Sequence, residues 1–182
     1  MLKRNMLQGP WKRLASSRCS LLISLTLDRL QRMVTIGQAN LSDRVEIEKL
    51  VVEYHSSEGL KPIKERIAWA VDQQLRGQSP GLLLVARDKE RIVDVALAVY
   101  TPSAELGRVM TVNDFFVSPD HRRKGVGREL AKRVLQECEE MKMDVIGLEV
   151  LSGNKTAAAF WRSIGLKAAD RFLFKMKFKP QS

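Results

Sequence analysis

Histidine and cysteine are scarce in this chain of 182 residues, which holds only His55, His121, Cys19 and Cys138. Two histidines cannot furnish a histidine-rich metal site, so no metal is expected. The cysteines stand far apart and match no zinc or redox spacing, and the chain reads as a reduced, intracellular protein. Long apolar runs are missing too. Leu21 to Leu27, interrupted by Ser24 and Thr26, is far too short to span a bilayer. No linker, repeat or low-complexity segment divides the chain beyond Met33. What is present, 45% hydrophobic residues, suits one compact domain with a core.

Charge is plentiful and unevenly placed. Residues 1–32 hold seven Lys/Arg against the single acid Asp28, whereas the rest of the chain carries 24 against 20. The net charge of +10 is therefore chiefly the property of an arm. Three readings fit this basic extension. It resembles an organelle transit peptide; it is a translated extension upstream of a true start at Met33; or it is a basic arm for nucleic acid or membrane. The second is preferred, because domain pattern begins immediately after Met33. A nucleic-acid partner is not expected, since Trp11 is the arm's only interleaved aromatic. The division is thus 1–32, arm, and 33–182, domain. Location is cytoplasmic, or an organelle stroma or matrix if the arm is a transit peptide.

From Met33 the periodicities alternate. Val34 to Gln38 is a short strand, and Asn40 or Ser42 can cap a helix running to about His55. Pro62 opens a second helix with Ile63, Ile67, Ala70, Val71 and Leu75 on one face, ended near Gly77. Leu82–Ala86 and Ile92–Tyr100 form a hairpin around Asp88-Lys89-Glu90. Val109–Val117 is a further strand. Leu130, Val134, Cys138 and Met141 then mark one face of a long helix. Val145–Leu151, Thr156–Ile164 and Arg171–Phe178 read as strand, helix and last strand. The pattern predicts an α/β fold, a mixed, mostly antiparallel central sheet flanked by helices.

The stretch Val112 to Gly127 organises the rest. Phe115-Phe116-Val117 is aromatic and β-branched, and Ser118-Pro119 ends the strand. Seven residues, Ser118 to Lys124, lead through Gly125 and Gly127 into the long helix. Backbone N–H groups at such a helix start have no partner in the helix and can hold phosphate oxygens. The charges agree: Arg122, Arg123, Lys124, Arg128, Lys132 and Arg133 crowd the helix start, and Glu137, Glu139 and Glu140 its end. That order opposes the helix dipole at roughly 0.3–1 kcal/mol per charge, which a bound anion would offset. A solvated ladder of Glu129, Arg133 and Glu137 is the plainer alternative. A nucleotide P-loop is excluded, because no Lys-Ser or Lys-Thr follows the last glycine. A dinucleotide fingerprint fails at Leu130, where a third glycine or alanine belongs.

The pattern Arg122-x-x-Gly125-x-Gly127 between strand and helix resembles the acyl-CoA pyrophosphate loop of the GNAT family of N-acetyltransferases. A second stretch, Asn154-Lys155-Thr156-Ala157-Ala158-Ala159-Phe160-Trp161-Arg162-Ser163-Ile164-Gly165-Leu166, resembles that family's other signature. The resemblance covers Met33 to Phe178 and is to a bacterial-type, single-domain member. It implies the acyl-CoA N-acyltransferase fold and acetyl-CoA as cosubstrate. It also implies attack of an amine on the thioester with no covalent enzyme intermediate. By the same resemblance, the strand end Phe115, Phe116 and Val117 pairs with the pantetheine. Main-chain groups of Arg122, Arg123, Lys124, Gly125, Val126, Gly127 and Arg128 hold the pyrophosphate. Asn154, with Ala157 three residues on, contacts the pantetheine arm, and Phe160 and Trp161 pack beside it.

The chain departs from the family at the catalytic positions. Many relatives have tyrosine where Trp161 stands, and an indole N–H is no useful acid at neutral pH. Trp161 therefore reads as a packing residue at the mouth of the acyl site. Asn113 occupies the position of a glutamate in polyamine acetyltransferases and cannot take a proton. Glu149 matches a glutamate used as base by ribosomal-protein-type N-terminal acetyltransferases, and could accept the amine proton through water. It reads equally as a solvated strand residue alternating with Ile146, Leu148 and Val150. Asp114 is the second candidate base, on the face opposite Asn113 if the strand is regular. Glu53, Tyr54, His55 and Glu58 lie near the junction of the first two helices, which selects the acceptor in this family, and Tyr100 can line the site. The expected partners are acetyl-CoA and a primary amine, with no membrane, and a homodimer is left open. The alternative is a catalytically weak acyl-CoA-binding sensor or interaction module of the same fold.

Overall fold

The computed structural model describes residues 34–171 and 173–176. The basic arm therefore lies outside the described residues. Among the described residues five strands, β1 (Thr35–Gln38), β2 (Gly81–Asp88), β3 (Arg91–Ser103), β4 (Gly107–Val117) and β5 (Val145–Leu148), form one sheet in that order. The first four are antiparallel neighbours, and β4 and β5 run parallel. The parallel pair needs a crossover, which is helix α3 (Val126–Glu140).

Helices α1 (Arg44–Ser57) and α2 (Lys64–Leu75) cover one face and α3 the other. On the first face Ile47, Leu50, Val51, Ile67 and Val71 meet Val85, Val95, Leu97 and Phe116. On the second Leu130, Val134 and Cys138 meet Leu84, Ala96, Ala98, Met110 and Val112. Two covered faces explain why Leu82–Ala86 and Ile92–Ala98 are buried without alternation. Asn40 provides the cap expected before α1. Its side chain accepts from Ser42 N at 2.9 Å, while its own N–H donates to Asp43 at 2.7 Å. A short 3₁₀ turn, Leu41–Asp43, precedes the helix proper.

Two expectations change at the C-terminal end. β5 stops at Leu148 rather than Leu151, because among the described residues the ladder ends at Val112↔Leu148. A last strand over Arg171–Phe178 is not formed by Arg171 or Leu173–Met176, which are exposed and join no ladder. Its other positions, Phe172 and residues 177–178, lie outside the described residues. Among the described residues, the alternating Phe174 and Met176 have no partner strand, and a period alone does not make a sheet.

Candidate active site

β4 extends five residues past its pairing with β5, from Asn113 to Val117, so the sheet forks there. At the fork β4 is irregular. Leu97 faces Asp114 and Ala98 faces Val112, which leaves Asn113 as an extra, exposed residue in a β-bulge. The bulge corrects the expectation of a regular strand. It returns Phe115 to the α3 face that Val112 occupies and turns Asp114 and Phe116 towards α1.

Beyond the bulge the backbone of β4 has one open side. Ser118 N donates to Val93 O at 3.2 Å, so by alternation Phe116 and Asp114 face β3 while Phe115 and Val117 present their N–H and C=O groups away from it. β5 does not reach those groups, and an extended chain laid in the fork could pair with them. Arg122 partly covers the far end: its Nε donates to Val117 O at 3.0 Å, with the guanidinium 5.8 Å from the Phe116 ring.

The strand then feeds the helix start through a 3₁₀ turn, Pro119–His121. Arg123 (φ 60°) and Gly125 (φ 88°) take left-handed backbone conformations that turn the chain into α3. The first intrahelical bond runs from Glu129 N to Gly125 O at 3.1 Å, so the N–H groups of Val126, Gly127 and Arg128 lie in the unpaired first turn. Gly127 allows the helix start to sit against β4, since a Cβ there would lie 2.8 Å from Val117 Cγ2. Arg122, Arg123 and Lys124 are exposed at this turn, and among the described residues no carboxylate pairs with them. Unpaired amides, unpaired cations and a glycine-tight approach together suit a polyanion.

Helix α4 (Lys155–Ser163) closes the other side of the fork. Phe160 and Trp161 pack on Phe115, the rings of Phe115 and Trp161 meeting edge to face at 4.8 Å. Trp161 is buried, which agrees with its reading as a packing residue. Asn154 is the N-cap of α4, accepting from Ala157 N at 2.9 Å. Its amide Nδ2 donates to Glu58 at 3.0 Å, so both ends of this side chain are engaged within the protein. Ser57, Glu58, Leu151, Gly153 and Asn154 line an open recess at that contact.

The catalytic candidates separate in space. Asp114 Oδ1 lies 3.0 Å from His55 Nε2 across 59 residues of sequence. Burial, with Asp114 and Glu58 nearby, raises the neighbouring Tyr54 phenol above its ordinary value. Glu149 lies just past β5, 58% exposed, and is paired with Lys175 Nζ at 2.8 Å. Tyr100 packs against the core on the α3 face. Sequence reasoning named His55 only as part of an acidic junction, because no spacing in the chain links it to Asp114. It also missed buried Asp94, whose Oδ1 accepts from Ser118 N at 3.1 Å beneath the turn into α3.

The sequence profile of the acetyltransferase (GNAT) family matches residues 44–166. The chain belongs to this family. The GNAT chain is 34% identical over 59 residues to the [ribosomal protein bS18]-alanine N-acetyltransferase of Escherichia coli strain K12. That stretch is 32% of this chain and spans only 40% of the relative's length. A possible acetyltransferase from Clostridium difficile 630 superposes with a TM-score of 0.72 at 19% identity, covering 81% of this chain and 99% of that one. An aminoglycoside N-acetyltransferase solved in complex with CoA has a TM-score of 0.67 at 15% identity, covering 80% and 95%. These likenesses establish the acyl-CoA N-acyltransferase fold. No helix among the described residues is long and apolar enough to cross a membrane.

Proposed function

We propose that this GNAT protein is an acetyl-CoA-dependent N-acetyltransferase that acts on a primary amine. The observation that carries the reading is the continuity of the open β4 edge with the glycine-tight start of α3. The pyrophosphate would rest on the amides from Arg122 to Arg128, beside the cations of Arg122, Arg123 and Lys124. The pantetheine would extend along Phe115, Phe116 and Val117, between the fork and the rings of Phe160 and Trp161. Acetyl-CoA supplies the activated thioester. The protein supplies orientation, a dry aromatic wall and a place for the proton that the amine must lose.

The acceptor would approach from the α1 side, where Glu58 and Asp114 gather negative charge suited to a cationic amine. Small-molecule amines, protein N-termini and lysines all meet that chemistry. The partial match to a ribosomal-protein alanine acetyltransferase makes a protein N-terminus the first acceptor to try. Residues 33–182 are taken as the acetyltransferase domain, acting in the cytoplasm, and residues 1–32 as a separate arm.

A second reading is an acyl-CoA-binding module without useful turnover, favoured by the buried indole of Trp161 and by Asn113 in the bulge. Both readings require acetyl-CoA to raise the melting temperature, by an amount that grows with its concentration. Only the enzyme releases free CoA thiol when amines are added. Stabilisation without thiol release from any amine would select the module.

A further inference from the structure

Glu58, on the turn following α1, reaches Asn154 at the α4 cap, so this end of the helix stands over the fork. One turn earlier His55 meets Asp114, the first β4 residue beyond the bulge. The two side chains are 26% and 17% exposed, neither sealed nor freely solvated. The Tyr54 ring packs 5.5 Å from His55 and 5.9 Å from Phe116, which fixes the imidazole laterally. Among the described residues no other group hydrogen-bonds to the ring. A carboxylate accepting from Nε2–H holds the neutral tautomer in which Nδ1 keeps its lone pair. The titratable groups gathered here are Tyr54 and Glu58 beside His55, and Asp114 on β4; α4 contributes the uncharged Asn154. The competing positions are less suited. Asn113 cannot take a proton, and Glu149 is solvated and held by Lys175.

We propose that His55 is the proton acceptor for the incoming amine and that Asp114 is the positioning residue that orients its ring. This rests on the acetyl-transfer reading above. Nδ1 takes the N–H proton as the amine nitrogen bonds to the thioester carbonyl carbon. The C–S bond then breaks, and its electron pair leaves with sulfur. The imidazolium returns its proton to water, and the thiolate takes one from water. The products are an amide and the free thiol.

The test uses the full chain, one fixed amine and four proteins: wild type, His55→Gln, Asp114→Asn and Asp114→Glu. Substrate ionisation is common to all four, so differences between pH profiles belong to the protein. Wild-type kcat should fall as pH drops and the imidazole protonates. His55→Gln should lose roughly 10²–10³-fold in kcat together with that acid limb, while acetyl-CoA still raises its melting temperature. Asp114→Asn loosens the hold on the Nε2–H tautomer, so kcat should fall about tenfold or more while the KM for the amine changes little, and Asp114→Glu should recover part of the loss. Ring NMR gives a readout that needs no turnover, and with only two histidines the signals are assigned by substitution. Ring nitrogen shifts should report neutral His55 as the Nε2–H tautomer in wild type and a weakened preference for it in Asp114→Asn. An active wild type whose kcat is matched by both His55→Gln and Asp114→Asn, or a His55 tautomer indifferent to Asp114→Asn, would overturn the dyad and leave acetyl transfer standing. A wild type that binds acetyl-CoA yet acetylates no amine would defeat the underlying reading instead.

Discussion

Replacing Asp94 by asparagine should make the protein more stable at neutral pH and remove a pH dependence expected of wild type. Asp94 is wholly buried on β3. One carboxylate oxygen accepts from Ser118 N, and the other has no partner among the described residues. Burial pushes this carboxyl up from 3.8 to about 6, and the Ser118 N–H with the charges of His121 and Arg122 draws it only partly back. Below about pH 4 the group is protonated in both folded and unfolded chains. Between about 4 and 6 the folded state alone keeps the proton, so stability falls as pH rises through that window and stays lower above it. A shift of about two pH units corresponds to about 3 kcal/mol, an upper figure for the cost of holding the charge at pH 7. Asparagine keeps the acceptor for Ser118 N–H and carries no charge. Urea unfolding at half-unit steps from pH 4 to 8 should show two curves that diverge, with Asp94→Asn ahead by 1–3 kcal/mol at pH 7. Parallel curves, or a less stable variant at pH 7, would refute the reasoning.

Other substitutions probe the loop and the fork. Gly127→Ala should cost at least tenfold in acetyl-CoA affinity, because a contact at 2.8 Å forces α3 and Val117 apart, while its gain of about 1 kcal/mol in helix propensity keeps the melting temperature near wild type. Titration calorimetry checks the first and a melting curve the second. Gly125→Ala meets no neighbour but must hold a φ of 88°, so about 1–2 kcal/mol of stability should go with the affinity. Trp161→Phe should destabilise by roughly 1–3 kcal/mol in denaturant and leave the pH profile of turnover unmoved, since no proton passes through the indole. Glu149→Gln should keep kcat within about twofold, as expected for an exposed residue paired with Lys175. A large loss there with none in Asp114→Asn would return the proton to the end of β5.

The loop was legible because its chemistry is local: glycines, cations and a strand terminator lie within a few residues of one another. The helices were legible for a similar reason. Asn40 caps one, and Leu130, Val134 and Cys138 keep a period that packing confirms. The bulge at Asn113 was hidden, because it belongs to the register between β3 and β4 and not to either strand alone. That one extra residue sends Asp114 to the α1 face, where it meets a histidine 59 positions away. No periodicity carries such a pairing. The alternation at Phe174 and Met176 went the other way: both are exposed and join no ladder among the described residues.

The most direct measurement is the release of CoA thiol when the full chain is mixed with acetyl-CoA and a panel of primary amines that includes peptides with free N-termini. Acetyl transfer predicts stoichiometric thiol and N-acetylated product from at least one amine. Thiol release that is indifferent to every amine, from a protein that acetyl-CoA stabilises, would contradict it.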